Sequence, residues 1–142
     1  MDKKYFIVML ISLLVLITGC WGNNESGTRT TQQQIVGNNF ENMKAELSKT
    51  TDEIFDVDEK NNVDFFQSYT IEEEGSIVYL TIKTGYDWGP LSESQKKDFI
   101  YTFGRLTQGT AIKYGYDTGK LTILSPVGRK VGQYFLGKVE MY

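Results

Sequence analysis

The chain has 142 residues, of which 40% are hydrophobic and 23% charged, the composition of one small globular domain; its mean hydropathy of −0.32 excludes a multi-span membrane protein. It carries 15 basic and 18 acidic side chains for a formal charge of −3, with no histidine and a single cysteine. Histidine general-base catalysis, histidine-ligated zinc and an internal disulfide are therefore excluded.

Asp2, Lys3 and Lys4 open a short charged segment, and Tyr5 to Ile17 is apolar except for Ser12. At 13 residues this stretch is too short to cross a ~30 Å hydrocarbon core comfortably and has the length of a signal-peptide apolar region. It closes on Ile17-Thr18-Gly19-Cys20, which resembles the lipobox of bacterial lipoproteins: a branched apolar residue three places before the cysteine, then small residues, then the thiol. The resemblance implies that signal peptidase II cuts between Gly19 and Cys20, and that Cys20 carries a diacylglycerol thioether. The mature chain then begins at Cys20. Its acyl chains would hold it stably at the extracytoplasmic face of the cell membrane, because two chains anchor where one binds only marginally. Without residues 1–19 the chain holds 13 basic and 17 acidic side chains, a formal charge of −4.

Residues 20–37 are rich in Gly, Asn, Ser, Thr and Gln without apolar periodicity, and read as a tether behind the lipidated cysteine. About 17 such residues reach roughly 20–25 Å, enough to lift a small domain off the headgroups. Trp21, beside the anchor, suits the membrane interface.

The folded domain is expected over residues 38–142. Phe40, Met43, Leu47 and Ile54 recur at helical spacing, with Glu41 three places after Asn38, which predicts a helix over about 39–55. Val63, Phe65, Tyr69 and Ile71 alternate with polar residues, Glu74-Gly75 makes a turn, and Ser76 to Thr84 is rich in branched residues; these are two strands of a hairpin. Ser92 as cap with Gln95 three places on, then Phe99, Ile100, Phe103 and Leu106, predicts a second helix that Gly109 is placed to end. Gly104 inside that helix implies close packing against a neighbour. Ala111–Tyr116, Leu121–Ser125 and Val131–Met141 read as three more strands, with turns at Asp117-Thr118-Gly119 and Pro126–Gly128. The fold class is thus α+β in the order αββαβββ, a small antiparallel sheet with helices on one face.

Ile77, Tyr79, Thr81 and Lys83 alternate outward along the second predicted strand and would lie on the open face of such a sheet. Nineteen aromatic residues either fill a small core or build a binding surface rich in tyrosine. Gly85 to Pro90 is a glycine-flanked loop displaying Tyr86 and Trp88, and Trp88 either folds down to cap the core or contacts a partner. Tyr79, Tyr86 and Trp88 are the candidate partner contacts.

Fragments that look catalytic fail on spacing. Ser94-Gln95-Lys96-Lys97 and Lys83-Thr84-Gly85 match S-x-x-K and K-T-G, but in the reverse order and in too short a chain. Asp117-Thr118-Gly119 stands alone where aspartic proteases need two carboxylates, and suits a turn. Asp56-Val57-Asp58-Glu59-Lys60 starts like a calcium loop but has Lys60 at the fifth position, Asn61 for the glycine and Gln67 for the final glutamate, and reads as an acidic loop ending the first helix. Gly115 to Lys120 is one residue short of a phosphate-cradling loop. Scattered lysines and arginines do not make a nucleic-acid face. No catalytic residue, metal or cofactor is expected. The expected function is that of a membrane-anchored interaction module at the cell envelope, engaging another envelope protein or a component of an incoming mobile element in the manner of small exclusion or immunity lipoproteins. A small-molecule or peptide binder is the alternative.

Overall fold

The computed structural model describes residues 36–142; the predicted signal peptide, Cys20 and nearly all of the tether lie outside the described residues. The elements are α1 (Val36–Lys60), β1 (Phe66–Glu74), β2 (Ile77–Thr84), a 3-10 turn (Tyr86–Trp88), α2 (Glu93–Lys113), β3 (Thr118–Leu124), β4 (Lys130–Phe135) and β5 (Lys138–Met141). This is the expected α+β order, two helices with a five-stranded sheet.

Met43, Leu47, Thr51, Ile54 and Asp58 form the buried stripe of α1, recurring every three or four residues. Thr51 is accommodated there because its hydroxyl donates to the Leu47 carbonyl at 2.7 Å. The helix begins inside the stretch read as tether and continues to Lys60, so the acidic segment 56–60 is its last turns and not a loop. Asp58 then ties the helix to the sheet: its Oδ2 accepts the backbone N–H groups of Phe65 at 2.8 Å and Phe66 at 2.9 Å, where β1 begins.

β1 and β2 form the expected hairpin, with Glu74 opposite Ile77 and Gly75 at a left-handed φ of 60° in the turn. Val78, Leu80, Ile82 and Thr84 point into the core, and Ile77, Tyr79, Thr81 and Lys83 lie on the other face, as the alternation predicts. α2 opens with a complete capping box: Ser92 Oγ accepts from the Gln95 N–H at 3.2 Å, and Gln95 Oε1 accepts from the Ser92 N–H at 3.0 Å.

The helix passes through Gly109 and ends four residues later, so residues 111–113 are helical and not strand. Its stripe of Phe99, Ile100, Phe103, Thr107, Thr110 and Ala111 keeps its spacing to the end, and burial on α2 outweighs the strand preference of Thr110 and Ile112. Gly115, at φ 90°, supplies the stop. The Tyr116 N–H reaches the Ala111 carbonyl at 3.1 Å and the Gly115 N–H the Ile112 carbonyl at 3.0 Å, a Schellman closure.

The strands are ordered β1-β2-β3-β4-β5. The sheet is mixed and not wholly antiparallel: β2 and β3 run parallel because α2 carries the chain back to the starting end between them, and the other pairs are antiparallel. The expected last strand over 131–141 is a hairpin, β4 and β5 joined through Leu136 and Gly137 at φ 48° and 82°. Both residues are left-handed, as a two-residue hairpin turn requires.

α2 covers β2 to β5 while α1 packs on β1 and α2, so one face of the sheet is covered. The helix approaches the sheet closely at Gly104, Gly119 and Gly132. A Cβ on Gly104 would lie 2.1 Å from Tyr134 Cγ, and one on Gly119 would lie 2.6 Å from the Thr107 carbonyl oxygen. The close packing expected of Gly104 is therefore against β4. Between the layers runs an aromatic seam in which Phe66 stacks on Phe99 at 5.0 Å, Phe99 on Phe103 at 5.3 Å, and Phe55 on Phe66 at 5.4 Å between ring centroids.

Candidate functional site

The 85–89 loop leaves the carboxyl end of β2 and is fixed by β1's entry segment. The Gly85 N–H donates to the Phe65 carbonyl at 2.8 Å and the Asp87 N–H to the Asp64 carbonyl at 2.9 Å. Asp64 and Asp87 then clamp each other's backbone: Asp64 Oδ2 accepts the Tyr86 N–H and Asp87 Oδ2 accepts the Asp64 N–H, both at 3.0 Å. Gly85 is required at this crossing, since a Cβ there would sit 2.0 Å from Asp64 Oδ1.

This clamp fixes opposite fates for the loop's two aromatic residues. Trp88 is only 4% exposed, packed edge-on to Phe99 at 5.3 Å and tilted against Phe66 at 6.0 Å. Trp88 therefore caps the core against the two phenylalanine rings, and what it leaves uncovered lines the cleft beside Tyr86. Tyr86 is turned outward and is 74% exposed.

Around Tyr86 lies a cleft of about 380 Å³ at the carboxyl ends of the parallel strands β2 and β3. Trp88, Met141 and Val131 contribute apolar lining, and Val127 and Tyr142 stand beside Tyr86 with exposures of 75% and 65%. Val127 is held outward by the tight turn before β4, in which the Ser125 N–H donates to the Arg129 carbonyl at 2.7 Å and Gly128 takes φ 81°. Tyr142 is braced by its hydroxyl, which donates to Glu140 Oε2 at 2.7 Å, and by the Lys130 ammonium 4.5 Å from its ring centroid. Lys96 lines the cleft as its cation, its Nζ donating to the Gly89 carbonyl at 2.8 Å. Tyr86, Val127 and Tyr142, largely exposed on pinned backbone, make a rigid contact surface.

Tyr79 is not part of this cleft. It is half-buried on the open face of the sheet, where the Lys120 ammonium lies 6.0 Å from its ring and 5.6 Å from that of Phe135. Of the predicted contacts, Tyr86 alone reaches the cleft as an exposed side chain, and Cys20 is outside the described residues. Sequence reasoning does not single out Val127 and Tyr142; a valine between Pro126 and Gly128 is the available signal, since a branched apolar residue in a tight turn has no core to enter. No family model, curated protein or solved structure matches the chain.

Proposed function

We propose that this protein is a lipid-anchored, extracytoplasmic interaction module at the cell envelope that engages a partner protein, of the exclusion or immunity kind, through the Tyr86, Val127 and Tyr142 face. The observation that carries the reading is the gathering of three largely exposed apolar side chains around one cleft, from three segments distant in sequence. Cys20, at the end of a lipobox-like segment, supports membrane placement, and tyrosine is well suited to contact surfaces of this kind. A photocrosslinking residue at position 86 or 127 is expected to yield a discrete adduct in intact envelopes. The same probe at Glu93, exposed at the start of α2, should not yield it. No adduct, or the same adduct from position 93, would discard the face. The alternative, a small-molecule or peptide site, draws support from the cleft's volume and its Trp88 and Met141 lining.

A further inference from the structure

The side-chain polar groups left uncommitted in the Tyr86 cleft are hydrogen-bond donors. Among the described residues lining it there is no aspartate or glutamate, and Lys96 is the one charged side chain. Its Nζ donates to the Gly89 carbonyl at 2.8 Å, and no carboxylate pairs with it among the described residues. Its neighbour Lys97 does pair, with Glu93 at 3.8 Å. Nor does α2 account for Lys96, which stands one turn inside the start of the helix, where a cation opposes the helix dipole. An ammonium held beside apolar surface without a counter-charge is complementary to an anion.

The independent observation is the Trp88 indole. Trp88 is 4% exposed, yet its Nε1–H has no hydrogen-bond partner among the described residues and is not one of their fully buried unpaired atoms. The N–H therefore opens at the uncovered part of the ring, which lines the cleft. An indole nitrogen only donates, so it requires an acceptor. Ser125 adds another donor: its Oγ accepts the Arg129 N–H at 3.1 Å, and its own O–H is uncommitted among the described residues. The Thr84 hydroxyl is already engaged, donating to the Leu124 carbonyl at 2.9 Å.

The rest of the lining selects the body that carries the acceptors. Val131 and Met141, with the exposed Tyr86, Val127 and Tyr142, surround these donors in about 380 Å³. The occupant therefore brings negatively charged oxygens and, directly beside them, an apolar side chain. A polypeptide supplies both from its last residue, where the α-carboxylate and the side chain leave the same carbon. An internal aspartate or glutamate brings a carboxylate with no apolar group beside it. We infer that the cleft captures the carboxyl-terminal residue of a partner polypeptide, its carboxylate on Lys96 and the Trp88 N–H and its apolar side chain against Val131 and Met141. This inference rests on the Tyr86 face being the contact surface, and names what that face receives.

The test follows the Trp88 indole N–H by heteronuclear NMR in the isotope-labelled full chain in detergent micelles, with Trp21→Phe assigning the signal. Acetyl-Ala-Ala-Leu with a free carboxylate is expected to shift it saturably. The same peptide as its amide should bind about tenfold more weakly, the size of one lost hydrogen bond to a charged group. Isocaproate, which keeps the carboxylate and the branched chain without a peptide, should also bind more weakly than the free-acid peptide. Lys96→Gln is expected to bring acid and amide to the same affinity, and Lys96→Arg to restore the difference. Val127→Asp, at an exposed turn position, should weaken binding of the acid by placing a negative charge at the rim. No saturable shift with the free acid, equal affinity of acid and amide in the wild type, or an acid preference unchanged in Lys96→Gln would overturn the assignment. Isocaproate binding as tightly as the peptide would overturn it in favour of a small free acid. These outcomes are separable from those of the crosslink: an adduct from position 86 without peptide binding leaves the contact face standing and removes this occupant alone.

Discussion

Tyr86 and Trp88 are separated by one residue and have opposite energetic meaning. Truncating Trp88 would leave a cavity beside the stacked Phe66 and Phe99 rings, and loss of a buried aromatic of this size costs about 3–5 kcal/mol. Tyr86 presents most of its surface to solvent, and Tyr86→Ala should change stability by no more than about 0.5 kcal/mol. Thermal or urea unfolding of the two variants checks the pair, and a large loss with Tyr86→Ala would mean that the ring is structural. Asp58 gives a second residue-level expectation, in pH. Its folded value of about 6 stands above the ordinary 3.8, so between those values the native chain binds more protons than the unfolded one. Stability from this group therefore falls as pH rises from about 4 to about 6 and is flat above about 7. Glu46 acts in the opposite sense and at lower pH. Burial raises its value, but hydrogen bonds from Lys113 and Tyr114, both at 2.6 Å, hold it below the usual range, so its contribution is lost on acidification. The difference between wild type and Asp58→Asn isolates the Asp58 slope; denaturation midpoints from pH 4 to 7 that run parallel in the two proteins would refute it.

At the scale of elements, legibility follows locality. The first hairpin and the start of α2 are readable because their instructions lie within four residues: Gly75 at the turn, Ser92 and Gln95 at the cap. The end of α2 is not, because Gly109 carries the usual stop residue while the packing of Thr110 and Ala111 carries the chain on to Gly115. The parallel pairing of β2 and β3 depends on α2 crossing the sheet face, which no single stretch encodes. The β4–β5 turn is hidden for a different reason. Leu136 occupies a left-handed position that disfavours a residue with a Cβ by roughly 1–2 kcal/mol and that Asn or Gly usually fills. Leu136→Asn is accordingly expected to stabilise the fold by a few tenths to about 1 kcal/mol, since little burial is lost at a side chain 61% exposed. An unchanged or lower melting temperature would show that Leu136 makes a contact stronger than this strain. Gly104→Ala should act oppositely, because its methyl group would overlap the Tyr134 ring; overpacking of this kind costs about 1–3 kcal/mol, read in the same melt. The Asp64–Asp87 clamp is equally illegible, since the two residues meet only after the sheet has formed.

The whole molecule is electrically divided along its chain. Residues 21–80 hold 12 acidic and 4 basic side chains, and residues 81–142 hold 5 acidic and 9 basic. The fold sets Glu72, Glu73 and Glu74 on the β1 edge and Lys138 on the β5 edge, at opposite ends of the sheet. The two halves also meet directly, where Lys113 of α2 pairs with Glu46 of α1 at 2.6 Å. The Tyr86 face is the proposed contact surface. Its use at an envelope depends on the proposed anchor. Under that proposed anchoring, a partner in the same membrane meets the domain at high effective concentration even when the pairwise affinity is low. Cys20→Ser tests this dependence. The variant is expected to remain a full-length precursor without the thioether, seen as an intact-mass difference covering residues 1–19 and the lipid, and to lose the crosslink from position 86 while its folded domain melts at an unchanged temperature. A Cys20→Ser chain that matures to the same product as wild type would separate the folded module from any lipid anchor.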